Sequence, residues 1–379
     1  MNKSNLKVIT IVGTRPEIIR LSRVMPLLDK YLNHITVHTG QNYDYELNEI
    51  FYNDLELRKP DYYLGVDTNS LGHVLGETLI KIEEIFIKEK PNACLILGDT
   101  NASISSIMAK RMKIPIYHME AGNRSFDMNV PEEINRRIID HTADFNLVYT
   151  ENSRRHLLSE GLPPRRIYLT GSPMFEVLNY YKDKIMSSNI LETLQLKEKE
   201  YFIVSAHREE NVDNPYNLRK IVETLNNLVE QYDVPVIVST HPRTKKRLEM
   251  LKNIKLDKRV QYLKPFGFMD YNFLQMNAIC VISDSGTISE ESAMLNFPAV
   301  TIRNSMERPE AIDAGTIILT GLDPNLVLDS IRLVVDEHNN SRYTQIPAEY
   351  QVKTTSWRVL KLILGLTKLS NQWNGIIKK

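Results

Sequence analysis

The residues best equipped for chemistry lie in one stretch, 118–137, HMEAGNRSFDMNVPEEINRR. Glu120 comes just after the apolar run 114–117, and Glu132, Glu133 and Arg136 follow Pro131, placed as a first helical residue. On a helix, Glu132 and Arg136 are four apart and share a face. Alone, PEE is a solvated helix start, because acidic side chains in the first turn complement the helix dipole. Glu120 argues for more. It stands where a buried strand ends, and in open α/β sheets that edge faces the ligand. Asp99 ends a second apolar run, in GDTNAS. It is either a helix cap or a second carboxylate facing the same cleft. Carboxylates gathered at a strand edge are the usual general acids and bases.

Two histidines repeat one arrangement. His207 and His241 each come just after a strand pattern, and each is followed within two residues by arginine. A lone histidine is most often structural; two in the same place point to a site. Neither belongs to a metal-ligand motif, since the chain has no HExxH and no CxxC.

Anion-binding signals stand at two helix starts. Gly13-Thr14-Arg15-Pro16-Glu17 follows a strand pattern, with Pro16 placed to open a helix. A strand, a glycine turn and a helix N-terminus make an anion site, with Arg15 beside it and Arg20 one turn further in. The sequence is neither GxGxxG nor a Walker A loop, so neither NAD nor ATP is signalled. Ser283-Asp284-Ser285-Gly286-Thr287 offers a second such turn, with Glu290 and Glu291 in the helix behind it. Alone, those two glutamates read as an exposed helix face. With the turn, Glu291 is placed to accept from ribose hydroxyls.

These residues need a frame. Short β-branched runs alternate with longer helical patterns, which predicts α/β architecture with parallel, doubly wound sheets. Strands are expected at 8–12, 35–39, 94–97, 114–117, 145–149 and 167–170, then at 201–205, 234–239, 260–263, 279–282, 299–302 and 317–320. Between the two sets runs a polar helical stretch with a break at Ser187-Ser188-Asn189. The expected division is therefore a domain over 1–172, a linker over 173–199 and a second domain over 200–356. The apolar spacing from Trp357 onward suits a terminal helix, 357–379, packing back on the first domain. A chain of 379 residues is long for one core. Two Rossmann-like halves facing a cleft suit a nucleotide diphosphate carrying a small group.

Composition excludes other classes. Lys+Arg and Asp+Glu are both 47, so the formal net charge is zero and no nucleic-acid footprint appears. No apolar run approaches membrane length. The two cysteines, Cys94 and Cys280, sit inside apolar runs; they predict core packing and a reducing cytoplasm rather than a disulfide framework.

Taken together, GTRPE, GDTNAS, HMEAG, PEEINRR, SAHREEN, STHPR, SDSGTISEES and ERPEAIDAGT occur in this order over nearly the whole chain. In this the sequence resembles the non-hydrolysing UDP-N-acetylglucosamine 2-epimerase family. The resemblance implies two Rossmann-like domains of glycosyltransferase-B type with the active site between them. It implies a cytoplasmic homodimer and inversion at C2 of a UDP-2-acetamido sugar without cofactor or metal. UDP is eliminated to a 2-acetamidoglycal and added back after reprotonation on the other face. By the same resemblance Asp99, Glu120 and Glu132 are the acidic trio, with Arg136 beside them and His207 the active-site histidine. Arg15, Ser285 and Gly286 would hold the diphosphate, Glu291 the ribose, and Tyr271 would lie near the base. Arg20, His241, Thr287 and Arg308 complete the expected UDP-sugar contacts.

The chain departs from the N-acetylglucosamine pattern. Arg20 stands in place of lysine, Gly286-Thr287 in place of two glycines, and the loop from Glu120 to Pro131 is shorter. The segment after Gly40 lacks the His-Arg pair of a regulatory second site. HMEAGNRSFDMNVPEEINRR is similar to the branch making UDP-N-acetyl-L-fucosamine from its L-talo epimer, for capsule and O-antigen synthesis. A glycosyltransferase on the same fold needs one inverting base, fewer acidic groups than Asp99, Glu120, Glu132 and Glu133 supply.

Overall fold

A computed structural model describes residues 3–40, 51–251, 254–340 and 346–376. The chain divides into two compact units: Met1–Asn179 with Ala348–Lys379, and Tyr180–Pro347. That boundary falls inside the polar stretch 173–199, which forms short helices at Met174–Tyr180, Lys182–Met186 and Ile190–Thr193.

The first unit is built on seven strands: β1 (Lys7–Val12), β2 (Asn33–His38), β3 (Tyr62–Tyr63), β4 (Ala93–Leu97), β5 (Ile116–Ala121), β6 (Phe145–Val148) and β7 (Ile167–Leu169). They run in the order β3-β2-β1-β4-β5-β6-β7, each pair parallel. β4 and β6 are buried along their whole length, as expected when helices cover both faces of a parallel sheet. Ile9, Ile11, Ile96 and Ile116 anchor one core, each such burial stabilising by roughly 1.5–3 kcal/mol. β3 has only two residues, too few for any period to show in sequence. The helix Thr355–Trp373 packs against the helix Val24–Tyr31 of this unit, with Trp357 tilted on Tyr31 at 5.5 Å.

The second unit carries β8 (Phe202–Ser205), β9 (Val236–Ser239), β10 (Val260–Leu263), β11 (Val281–Ser283), β12 (Ala299–Thr301) and β13 (Ile318–Leu319). Their order is β10-β9-β8-β11-β12-β13, again parallel throughout. The expectation of two parallel, doubly wound α/β sheets is met. Cys94 and Cys280 are buried free thiols, and burial pushes the Cys94 thiol up to about 12.

In each sheet the strand order reverses once, between β1 and β4 and between β8 and β11. Loops at the carboxyl ends of strands part there and leave a crevice, where open α/β sheets bind ligands. Arg15, Asp99, Glu120, His207 and Ser285 stand at or just past the ends of β1, β4 and β5 in one unit and of β8 and β11 in the other.

Candidate active site

At the first reversal point, the turn after β1 leads into the helix Arg15–Leu21. The expected anion cradle at this helix start is filled from within the chain. Gly13 N–H and Thr14 N–H donate to Oε2 of Glu17 at 2.7 and 2.6 Å, and the Thr14 hydroxyl donates to the same oxygen at 2.9 Å. Thr100, after β4, donates to Oε1 at 2.8 Å. Glu17 thus closes a capping box and ties together the loops that carry Arg15 and Asp99. Its burial is nearly complete and raises its carboxyl to about 7, although the donors at Gly13, Thr100 and Thr14 pull the other way. Sequence reasoning quoted Glu17 within GTRPE and missed this role; the Thr-x-x-Glu capping pattern was the available signal. Arg15 lies over the Phe51 ring at 5.3 Å.

The acidic group comes together at the ends of β4 and β5. Their register pairs Leu97 with Met119, so Gly98 stands opposite Glu120 and Asp99 emerges one residue on. Glu120 has φ of +65° and lies where the β5–β6 register shifts. A glutamate in the left-handed region is strained, and such strain concentrates at functional sites. Arg20 is buried, lies 3.4 Å from the Glu120 carboxylate and sits over the Tyr149 ring at 5.7 Å. Arg136 contacts Oδ2 of Asp99 through Nε and Nη2, both at 2.7 Å. Asn135 donates to the Asp99 carbonyl at 2.9 Å. Glu132 is half-buried in the first turn of the helix Pro131–Thr142, one turn before Arg136.

Its neighbour Glu133 has a different task. Fully buried, it takes the Ser125 N–H at 2.9 Å and pairs with Arg136 at 3.2 Å and Arg137 at 3.0 Å. Counted with Asp99, Glu120 and Glu132 in the acidic cluster weighed against a transferase, Glu133 stands apart from it: the helical turn points it inward, where cations and a backbone donor occupy it. Arg124 is likewise a buried strut, 2.7 Å from Asp140 and bidentate to Glu160 at 2.8 and 2.7 Å. That bidentate contact is the main reason the Glu160 carboxyl is held down at about 2. His118 bridges the Gly98 carbonyl and Asp140, each at 2.9 Å, and so couples β5 to the end of β4.

In the second unit His207 follows β8 and Asp284 follows β11, on adjacent strands that pair Ser205 with Ser283. Asp284 has no exposed surface and accepts from three donors around the His207 turn, the His207 N–H, the Arg208 N–H and the Asn211 amide. It was not singled out in the sequence; only its place after a strand signals it. Ser285 N–H and Thr287 N–H are taken by the hydroxyls of Ser283 and Ser285 at 3.0 and 3.3 Å, and the Ser285 and Thr287 hydroxyls are 3.0 Å apart. A Cβ at Gly286 would meet Oε1 of Glu307 at 2.6 Å, so a side chain there must displace that carboxylate. Glu307 is gripped by Arg303 at 2.7 Å and Arg208 at 3.3 Å. Arg308 lies under the turn, donating to the Gly286 carbonyl at 2.8 Å and standing 3.2 Å from Glu290. Glu291 accepts from Gln275 at 3.0 Å. The Tyr271 hydroxyl bonds the Ser205 side chain near Glu291, and burial raises it well above the phenol range. His241 caps the helix Pro242–Met250, its Nδ1 accepting the Arg243 N–H at 3.3 Å. Residues 41–50, which carry the segment after Gly40, lie outside the described residues. Among the described residues no helix is long and apolar enough to cross a membrane.

Each unit is an open parallel α/β sheet with a polar cluster at its reversal point, the class of fold that binds ligands there. Comparison with known proteins sharpens the class. The profile of the family described as UDP-N-acetylglucosamine 2-epimerase matches residues 28–364. A solved structure of UDP-N-acetylglucosamine 2-epimerase from Rickettsia bellii is 47% identical, covers 97% of this chain and 99% of its own, and superposes with a TM-score of 0.90. The Methanocaldococcus jannaschii UDP-GlcNAc 2-epimerase, solved in complex with UDP-GlcNAc and UDP, is 32% identical, covers 95% of this chain and 99% of its own, and has a TM-score of 0.87. The UDP-2,3-diacetamido-2,3-dideoxy-D-glucuronate 2-epimerase of Pseudomonas aeruginosa is 34% identical over 334 residues, 86% of this chain and 92% of that protein. The chain belongs to the non-hydrolysing UDP-N-acetylglucosamine 2-epimerase family. It is a UDP-sugar 2-epimerase, an isomerase, as the sequence resemblance implied.

Proposed function

We propose that this epimerase interconverts UDP-2-acetamido-2,6-dideoxy-L-talose and UDP-N-acetyl-L-fucosamine, a building block of capsule and O-antigen polysaccharides. A carboxylate removes the C2 proton as the C1–O bond breaks. The C1=C2 double bond forms, and the bonding pair leaves on the β-phosphate of UDP. A second group protonates C2 from the opposite face, and UDP adds back at C1. The observation that carries this chemistry is two carboxylates on adjacent strand ends, Asp99 gripped by Arg136 at 2.7 Å and Glu120 in strained backbone beside Arg20. Abstraction and return on opposite faces need two such groups. Glu132 is the third member of the trio. Arg15, His207 and the turn 285–287 stabilise charge growing on the departing phosphate.

Arg20, Thr287 and the short loop after Glu120 support the L-sugar branch. A second reading, UDP-N-acetylglucosamine as substrate, is favoured by the printed activities of the Rickettsia and Methanocaldococcus proteins. A 6-deoxy-L-sugar puts a methyl where N-acetylglucosamine has a hydroxymethyl group, on a ring of the opposite series. A pocket built for one hydroxyl pattern rejects another by orders of magnitude, because buried polar groups lose partners. The test is incubation with each UDP-sugar in D2O, following C2 by NMR. Deuterium should enter C2 without any acceptor, and kcat/KM for the L-talo sugar should exceed that for UDP-N-acetylglucosamine by at least ~10²-fold. Equal or better turnover of UDP-N-acetylglucosamine would overturn the branch, and sugar transfer without C2 exchange would overturn the epimerisation.

A further inference from the structure

His207 is held from behind by a carboxylate that the reaction as drawn does not use. Asp284 takes the His207 main-chain N–H at 3.1 and 2.9 Å on its two oxygens. Its Oδ2 also accepts the Arg208 N–H at 2.9 Å and the Asn211 side-chain amide at 3.0 Å. Oδ1 lies 3.2 Å from Nδ1 of the His207 ring. Oδ2 carries three donors, while Oδ1 has only the longer contact from the His207 N–H and is the oxygen nearest the ring. Asp284 has no exposed surface, whereas 45% of the His207 side chain is exposed. One edge of the ring thus faces the buried carboxylate and much of the rest is exposed.

We propose that Asp284 is a positioning residue for His207, fixing the ring with a proton on Nδ1 so that Nε2 is the nitrogen that meets the substrate. This rests on the role given to His207 above. An ionised carboxylate only accepts, so the nitrogen it faces must be the donor. Which ring nitrogen carries the proton is set by the bond the other makes. Nε2 lies across the ring from Asp284. Because the same carboxylate binds the histidine's own main-chain N–H, it fixes both the base of the side chain and its ring. When Nε2 also takes a proton, the ring donates it to the departing phosphate oxygen from an orientation that needs no reorganisation, which is where preorganised donors act.

The test begins with the unaltered full chain, labelled with 15N histidine, at a pH where the ring is neutral, with His207→Asn used to assign the signal. The expected spectrum is that of the Nδ1–H tautomer; an Nε2–H tautomer would overturn the proposal without any variant of Asp284 having to fold. Asp284→Asn should then move the ring towards the other tautomer and lower kcat about 10²-fold, the cost of a misplaced group. KM should stay within a few fold. In a His207→Asn background the same change should add nothing. An equal loss of kcat in that background would make Asp284 merely a strut and overturn the proposal. Full activity of His207→Asn alone would instead remove His207 from the reaction, a failure of the underlying reading that the tautomer spectrum keeps distinguishable.

Discussion

Glu17→Gln gives the sharpest test of how the first reversal point is built. Oε2 of Glu17 takes three donors and Oε1 takes one, the Thr100 hydroxyl. A glutamine of the same shape can turn its amide oxygen to the first three and donate its NH2 to the Thr100 oxygen, since a hydroxyl also accepts. The variant therefore keeps every contact and loses only the ability to ionise. Burial raises the Glu17 carboxyl from its ordinary 4.5 to about 7. That rise corresponds to about 3 kcal/mol of stability withheld from the folded protein once the group is ionised. The sign follows from proton binding. Between 4.5 and 7 the folded state holds the proton and the unfolded state does not, so stability falls as pH rises through that window. Below it both states are protonated and the two proteins should be equally stable. Above it Glu17→Gln should be more stable by about 3 kcal/mol. Urea unfolding of both proteins from pH 4 to 8.5 reads this as a difference, in which every other titrating group cancels. A difference that does not change with pH, or a glutamine variant weaker than wild type at pH 8, would refute the argument that burial outweighs the four donors.

Further outcomes follow from the same geometry. Asp99→Asn, Glu120→Gln and Glu132→Gln should each lower kcat by roughly 10²- to 10⁴-fold while UDP affinity by calorimetry stays within a few fold; a variant with wild-type turnover removes that residue from the trio. Arg15→Ala should weaken UDP binding, because it deletes a charge-assisted contact to phosphate; unchanged UDP affinity would take Arg15 out of the diphosphate site. Gly286→Ala puts a Cβ 2.6 Å from Oε1 of Glu307, whose carboxylate is paired through Oε1 with Arg208 and through Oε2 with Arg303. Such overpacking costs about 1–3 kcal/mol, so both melting temperature and UDP affinity should drop, and an unchanged pair of values would show that the turn yields freely.

What the sequence by itself determined is the order of things along the chain. Alternating β-branched and helical segments required parallel sheets, because such strands need a crossover helix between them. Once strands were placed, Arg15, Asp99, Glu120, His207 and Ser285 had to emerge at or just past strand ends, and the motifs in series pointed to the family. Direction and pairing were decided by tertiary structure. Glu132 and Glu133 are neighbours in sequence, yet only packing shows that Glu133 is fully buried on Arg136, Arg137 and Ser125. Glu120 adopts φ of +65° at a register shift between two strands, a property of the β5–β6 pair that no local pattern encodes. Glu17 meets Thr100 across 83 residues and Asp284 meets the His207 N–H across 77. A buried carboxylate must find donors wherever the fold brings them, and which donors those are depends on strand order and register rather than on spacing along the chain.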